Sequence, residues 1–173
     1  MRIILEGPDC SGKTTLAKHL LNHFAKHSYI HNSLDENKNF VWRDLDRNIL
    51  KKHKYLRASH IESLEKKNII IDRFWPSEFV YGNLFRKKIE YNITELKREA
   101  ETYDPIYIGC LPPKDLVAKR FAMRAAENEE DFSTVENVYD MYEFLFDTCK
   151  EFTIFDYTIE SLDQFVRRFA LEH

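Results

Sequence analysis

The stretch Arg2-Ile3-Ile4-Leu5-Glu6-Gly7-Pro8-Asp9-Cys10-Ser11-Gly12-Lys13-Thr14 joins an apolar strand to a glycine-bounded loop. Gly7 to Thr14 spells the full G-x-x-x-x-G-K-[ST] pattern, and a helical pattern follows at once through Leu16, Leu20 and Leu21. Strand, loop and helix in that order make a phosphate cradle. Backbone N–H groups of the loop and of the first helical turn converge on an anion, and the helix dipole favours it there. Lys13 adds a point charge, and Thr14 is placed to hold the Mg²⁺ that travels with a nucleoside triphosphate such as ATP. The residues expected around that triphosphate are Gly7, Asp9, Cys10, Ser11, Gly12, Lys13, Thr14 and Thr15.

Outward from the loop, short apolar runs alternate with longer helical patterns, which predicts a parallel sheet with helices on both faces. Five strands are expected, at Arg2–Glu6, Tyr29–Asn32, Ile69–Asp72, Pro105–Cys110 and Phe152–Phe155. Helices are expected from Lys13 to Lys26, somewhere within Phe40 to Lys67, and from Ser77 to Arg86, Thr94 to Thr102, Lys114 to Ala126, Thr134 to Lys150 and Ser161 to Ala170. Thr94 and Ser161 sit where N-terminal caps belong. Glu127-Asn128-Glu129-Glu130-Asp131 interrupts the helical periodicity and reads as an exposed loop or lid, at about residues 120–133.

With 173 residues the chain is read as one domain over residues 1–170. Leu171-Glu172-His173 resembles the start of a histidine-tag remnant. The 26 basic and 29 acidic side chains leave a formal charge of -3, which offers no broad cationic face for a nucleic acid. Three widely spaced cysteines make neither a disulfide framework nor a metal cluster, and fit a reducing, cytoplasmic setting. No run of about 18 apolar residues marks a membrane span.

A second constellation follows the Ile69-Ile70-Ile71 strand. Asp72 and Arg73 stand at its C-terminal end, the edge at which open α/β sheets bind ligands. Asp72 there can reach Mg²⁺ through water or orient Thr14, and Arg73 can fork onto a phosphate or carboxylate. The segment Phe74-Trp75-Pro76-Ser77-Glu78-Phe79-Val80-Tyr81 is rich in aromatics. About half of these rings belong to a core, with Phe74 and Tyr81 expected nearest a substrate base or sugar.

These two segments resemble the thymidylate kinase family, among the P-loop nucleoside monophosphate kinases and their deoxynucleoside kinase relatives. Gly7 to Thr15 fits that family's G-x-D-x-x-G-K-[ST]-T loop. Asp72, Arg73, Phe74, Ser77 and Tyr81 fit its Asp-Arg segment. The resemblance implies a three-layer α/β/α fold with a five-stranded parallel sheet in the order 2-3-1-4-5, and a homodimer. It implies that Asp9 accepts from the sugar 3′-hydroxyl, that Arg73 holds the acceptor phosphate, and that Tyr81 lines the nucleoside pocket. Ile106 to Cys110, Pro112-Pro113, Arg120 and Arg124 follow the family's order of strand, proline turn and arginine-bearing lid helix. Some members carry a catalytic arginine beside the loop aspartate. Cys10 stands there in this chain, so the charge falls to Arg120 or Arg124. The family's Arg-Glu-Pro segment is replaced by Ser33-Leu34-Asp35-Glu36, and Gly82 follows the pocket aromatic. From the region Trp42 to His60, Trp42 is the candidate for stacking on a base and Arg57 for holding a phosphate.

Moving a γ-phosphoryl group asks for in-line placement and neutralised charge. Lys13, Asp9, Arg73, Arg120 and Arg124 are the residues expected to supply it, with Thr14 and Asp72 toward the metal. The reading is transfer from ATP to a deoxynucleoside monophosphate, a pyrimidine such as dTMP or a modified relative. A nucleoside acceptor would instead need a base, which relatives place as a glutamate at the end of the second strand. Asp35 and Glu36 are weak candidates for it. A nucleotide-binding switch without catalysis is the third reading.

Overall fold

A computed structural model describes residues 1–31, 33–34, 40–41, 61, 63–86, 93–128 and 135–173 (for 33–34, 40–41, 86 and 125–128, the backbone). Strand β1 (Arg2–Glu6) runs into helix α1 (Lys13–His23), which leads to β2 (Ser28–His31). The short strands β3 (Ser33–Leu34) and β4 (Phe40–Val41) pair antiparallel. Then come β5 (Ile69–Asp72), α2 (Trp75–Tyr81), a π-helical turn (Gly82–Arg86) and α3 (Ile93–Glu101). Strand β6 (Ile106–Cys110), α4 (Lys114–Asn128), α5 (Val135–Thr148), β7 (Phe152–Phe155) and α6 (Leu162–Glu172) complete the chain.

The main sheet holds five parallel strands in the order β2-β5-β1-β6-β7, which is the expected 2-3-1-4-5 when they are counted along the chain. The chain fills one side of β1 first and then the other, so the C-terminal end of β1 lies where the order reverses. Open α/β sheets place their ligand crevice at such a point. The alternation of side chains along a strand assigns the two faces. Ile4, Ile69 and Ile71 pack with Trp75, Leu96, Val138 and Tyr142 under α2, α3 and α5. Ile3, Leu5, Ile70 and Ile108 pack with Leu16, Leu20, Phe165 and Phe169 under α1 and α6. Apolar residues facing both ways explain why these central strands read as unbroken apolar runs.

Several boundaries differ from expectation for identifiable reasons. Strand β2 starts one residue early, at Ser28, because its pairing with β5 sets its register. Phe40, placed in a helical region by the sequence, is in β4. The expected helix Ser77 to Arg86 starts at Trp75, with Pro76 in the first turn where a missing N–H costs nothing. It widens to a π turn at Gly82, where the Asn83 side chain donates to the Phe79 carbonyl at 2.7 Å and competes with the helical ladder. Helix α3 begins at Ile93, so Thr94 lies inside its first turn rather than at the cap. Helix α4 continues through Glu127 and Asn128, both expected in a loop. Ser161 caps α6 in a capping box with Gln164, and that helix runs on to Glu172.

Candidate active site

The loop between β1 and α1 is shaped by two glycines. Gly7 has φ 144°, and a Cβ there would lie 2.3 Å from the Cys110 carbonyl oxygen of β6. Gly12, at φ 95°, precedes the first turn of α1. Between them Cys10 takes φ 63°, a left-handed conformation that a non-glycine residue adopts at a cost. Lys13 is 6% exposed, and its Nζ donates to the carbonyls of Gly7 at 2.9 Å and Pro8 at 2.7 Å. Burial, and then the Arg73 charge, pull its ammonium below the ordinary lysine range. Ser11 Oγ is buried without a hydrogen-bond partner among the described residues.

Asp9 gathers the cationic side chains. Arg73, at φ 78° just past β5, anchors its backbone N–H on the Leu5 carbonyl at 2.9 Å. That turn aims its guanidinium onto Asp9 Oδ1 and over the Tyr81 ring, 4.9 Å from the centroid. Tyr81 Oη donates to Asp9 Oδ2 at 3.5 Å, and Arg124 Nη2 lies 3.9 Å from the same oxygen. Burial alone would raise the Asp9 carboxyl. The charges of Arg73, Lys13 and Arg124 outweigh it and hold the group down at about 2. The Arg73 guanidinium is held well above its usual range against the pull of burial, by Tyr81, Asp9, Tyr142 and Asp72.

Asp72 is fully buried at the end of β5. Its Oδ2 accepts from Tyr29 Oη at 2.9 Å and pairs with His31 Nδ1 at 3.0 Å. Its Oδ1 is buried with no hydrogen-bond partner among the described residues. Burial pushes this carboxyl up, but the His31 hydrogen bond and the Lys13 charge take it below the ordinary range.

A cavity of about 420 Å³ is lined by Asp9, Cys10, Gly12, Lys13, Thr14, Thr15, His31, Arg73, Arg120 and Arg124. Arg120 and Arg124 reach it from one face of α4, with Arg120 lying over the Tyr157 ring at 4.2 Å. Phe74, Ser77 and Tyr81, all expected in the pocket, are not among the residues lining this cavity. Phe74 is 1% exposed and packs in the core, with its backbone N–H on Glu6 Oε1. Ser77 Oγ is buried too, donating to Glu6 Oε2 at 2.7 Å and lying 2.8 Å from Tyr142 Oη. Tyr81 lies between Arg73 and Phe85, whose ring stacks on it at 5.7 Å. Trp42, Arg57, Asp35 and Glu36 lie outside the described residues.

Sequence reasoning missed Glu6, Tyr29 and His31. Glu6, fully buried at the end of β1, accepts from Phe74, Ser77 and Tyr142, and burial pushes its carboxyl up to about 7 despite those bonds and the nearby Arg73 and Lys13. A carboxylate closing an apolar strand was the available signal. Tyr29 and His31 show their role only through the β2–β5 register, which sets His31 beside Asp72.

No protein-family model matches the chain, and no curated protein does. Among solved structures the chain is similar to the YorR protein from Bacillus subtilis in complex with phosphorylated GDP. The TM-score is 0.74 at 22% identity, over 99% of this chain and 94% of that one. It is also similar to deoxyadenosine kinase from M. mycoides with the products dCMP and a flexible dCDP bound. That match has a TM-score of 0.62 at 15% identity, over 100% of both chains. The same enzyme with bound dATP gives 0.62 at 17%, over 98% of this chain and 100% of that one. The fold is the three-layer fold of P-loop kinases. No helix among the described residues is long and apolar enough to cross a membrane.

Proposed function

We propose that this chain is a phosphotransferase that moves the γ-phosphoryl group of ATP to a deoxynucleoside monophosphate carrying a pyrimidine, such as dTMP or a modified relative. One observation carries the reading: Lys13, Arg73, Arg120 and Arg124 face a single cavity whose lining contains one carboxylate, Asp9. Such a surplus of positive charge suits two phosphate-bearing substrates meeting end to end. A site for one nucleotide alone has no need of Arg73 and Asp9 beyond the loop. In this reading the loop N–H groups and Lys13 hold the donor. Arg73 receives the acceptor phosphate, and Asp9 the sugar hydroxyl. Arg120 and Arg124, on the part of the expected lid that lies in α4, close over the transferred group and exclude water, while residues 129–133 of that expected lid lie outside the described residues.

The residues present fit Mg²⁺ arriving with ATP. Thr14 offers a hydroxyl, and the buried Asp72 Oδ1, without a partner among the described residues, suits a donor such as a metal-bound water. When bound, the ion would neutralise charge on the β- and γ-phosphates. A homodimer belongs to the same reading on the family resemblance, and light scattering at micromolar concentration tests it.

A deoxynucleoside acceptor is the second reading, favoured by the kinase among the structural neighbours and by His31, which stands on the cavity wall at the end of β2. Incubation with ATP, Mg²⁺ and a panel of nucleosides and monophosphates separates the readings. Diphosphate product from a pyrimidine deoxynucleotide is expected. Phosphorylation of nucleosides alone would overturn the monophosphate reading, and nucleotide binding without any transfer would favour a switch.

A further inference from the structure

Strand β2 contributes a hydroxyl to Asp72, one of the two residues expected to serve the metal. Tyr29 and His31 lie two residues apart, on the same side of β2, and that side faces α1. Tyr29 Oη donates its single proton to Asp72 Oδ2 at 2.9 Å. A phenol has one proton, so the direction of that bond is fixed. Asp72 has Oδ2 occupied twice, by Tyr29 and His31, and Oδ1 buried without a partner among the described residues.

We infer that Tyr29, assisted by His31, is a positioning residue for the divalent cation, holding the Asp72 carboxylate so that its other oxygen is left for the cation's water shell. The inference rests on the proposed use of ATP with Mg²⁺. A carboxylate that accepts from metal-bound water must not rotate, and Tyr29 and His31 hold the Asp72 group by its other oxygen. Partners of this kind, behind the groups that touch a metal, commonly change metal affinity by about ten-fold to a hundred-fold when removed.

The test is calorimetric titration of ATP into the full chain, first with EDTA and then across a series of Mg²⁺ concentrations. The variant Tyr29→Phe keeps the ring and removes the hydroxyl. Its metal-free ATP affinity is expected to stay within about two-fold of the parent, while the Mg²⁺ needed to reach the tightened affinity rises roughly ten-fold. A Tyr29→Phe protein with the parent's Mg²⁺ response would overturn the inference. A parent that binds ATP with no gain from Mg²⁺ would overturn it too, while leaving triphosphate binding intact. A parent that binds no ATP at all removes the proposed function itself. Melting curves report on folding. Should Tyr29→Phe not fold, His31→Phe removes the other bond onto Asp72 Oδ2 and keeps a ring beside Tyr29. It is expected to raise the Mg²⁺ requirement about three-fold, and no change there would sink the inference equally.

Discussion

Lys13 holds its ammonium on two carbonyls of its own loop, within the field of the Asp9 and Asp72 charges. In the proposed reaction it exchanges those carbonyls for phosphate oxygens, so its charge counts most where negative charge moves. Lys13→Ala is expected to lower turnover on the order of 10²-fold or more, as for the loss of one electrostatic donor, and steady-state kinetics with ATP check it. Glu6 supports a second prediction at this scale. Its folded-state value of about 7 lies above the ordinary 4.5, so the folded protein holds a proton that the unfolded chain releases between those values. Stability from this group is therefore full below pH 4.5 and is lost as pH rises through about 7, with about 3 kcal/mol as the upper bound. Glu6→Gln removes that dependence. Urea unfolding of the two proteins at pH 5 and pH 8 should show the parent losing stability relative to the variant at the higher pH. A parent and variant that track each other would contradict the assignment. The roles of Glu6, Tyr29 and His31 were hidden in the sequence for a common reason, although Glu6 did show as a carboxylate closing an apolar strand. Each acts through a partner at least 40 residues away, and only the pairing of strands brings them together.

At the scale of elements, the phosphate loop and the Asp72-Arg73 strand end were legible because their chemistry is local. Glycines, lysine and hydroxyl at fixed spacing make the cradle, and an apolar strand ending in charge marks the sheet edge. The aromatic stretch was less legible, since a ring that touches substrate and a ring that fills a core read alike in sequence. Packing sends Phe74 inward and leaves Tyr81 on Arg73. The packing of β1 against β6 through Gly7 gives a third prediction. A Cβ at Gly7 meets a backbone oxygen that no rotamer change can move, and φ 144° disfavours any other residue. Gly7→Ala is expected to cost on the order of 2–4 kcal/mol and to abolish ATP binding, as read by denaturant unfolding and calorimetry. Helix α4 gives a fourth. Arg124 lies 3.9 Å from Asp9, beyond a tight ion pair, so closing of the helix onto a loaded site has room to strengthen the contact. Arg124→Ala should lower kcat on the order of 10²-fold while the ATP dissociation constant changes by less than about three-fold. An equal loss in both would mean that Arg124 serves the donor's ground state instead of the transfer.

For the whole molecule, the strand order places the loop after β1, Arg73 after β5 and the α4 arginines beyond β6 around one crevice, so ligands are expected to stabilise the fold as a unit. A ligand that binds only the folded state adds about 2.7 kcal/mol at a hundred times its dissociation constant. In a domain of this size each kcal/mol moves Tm by about 2–4 °C, so saturating ATP with Mg²⁺ should raise it by about 5–10 °C. The two-substrate reading makes a stronger claim than this. Asp9 and Arg73 sit on the cavity wall with the donor loop, and an acceptor held there contributes its own increment. With a non-hydrolysable ATP analogue present, a pyrimidine deoxynucleoside monophosphate is therefore expected to raise Tm by a further few degrees, and Arg73→Ala should cancel that second rise while leaving the first. A switch protein would show the first rise and nothing from any acceptor. A nucleoside kinase would show the second with deoxynucleosides and not with their monophosphates. Because folded-state binding alone is measured, the outcome holds even where transfer is too slow to follow.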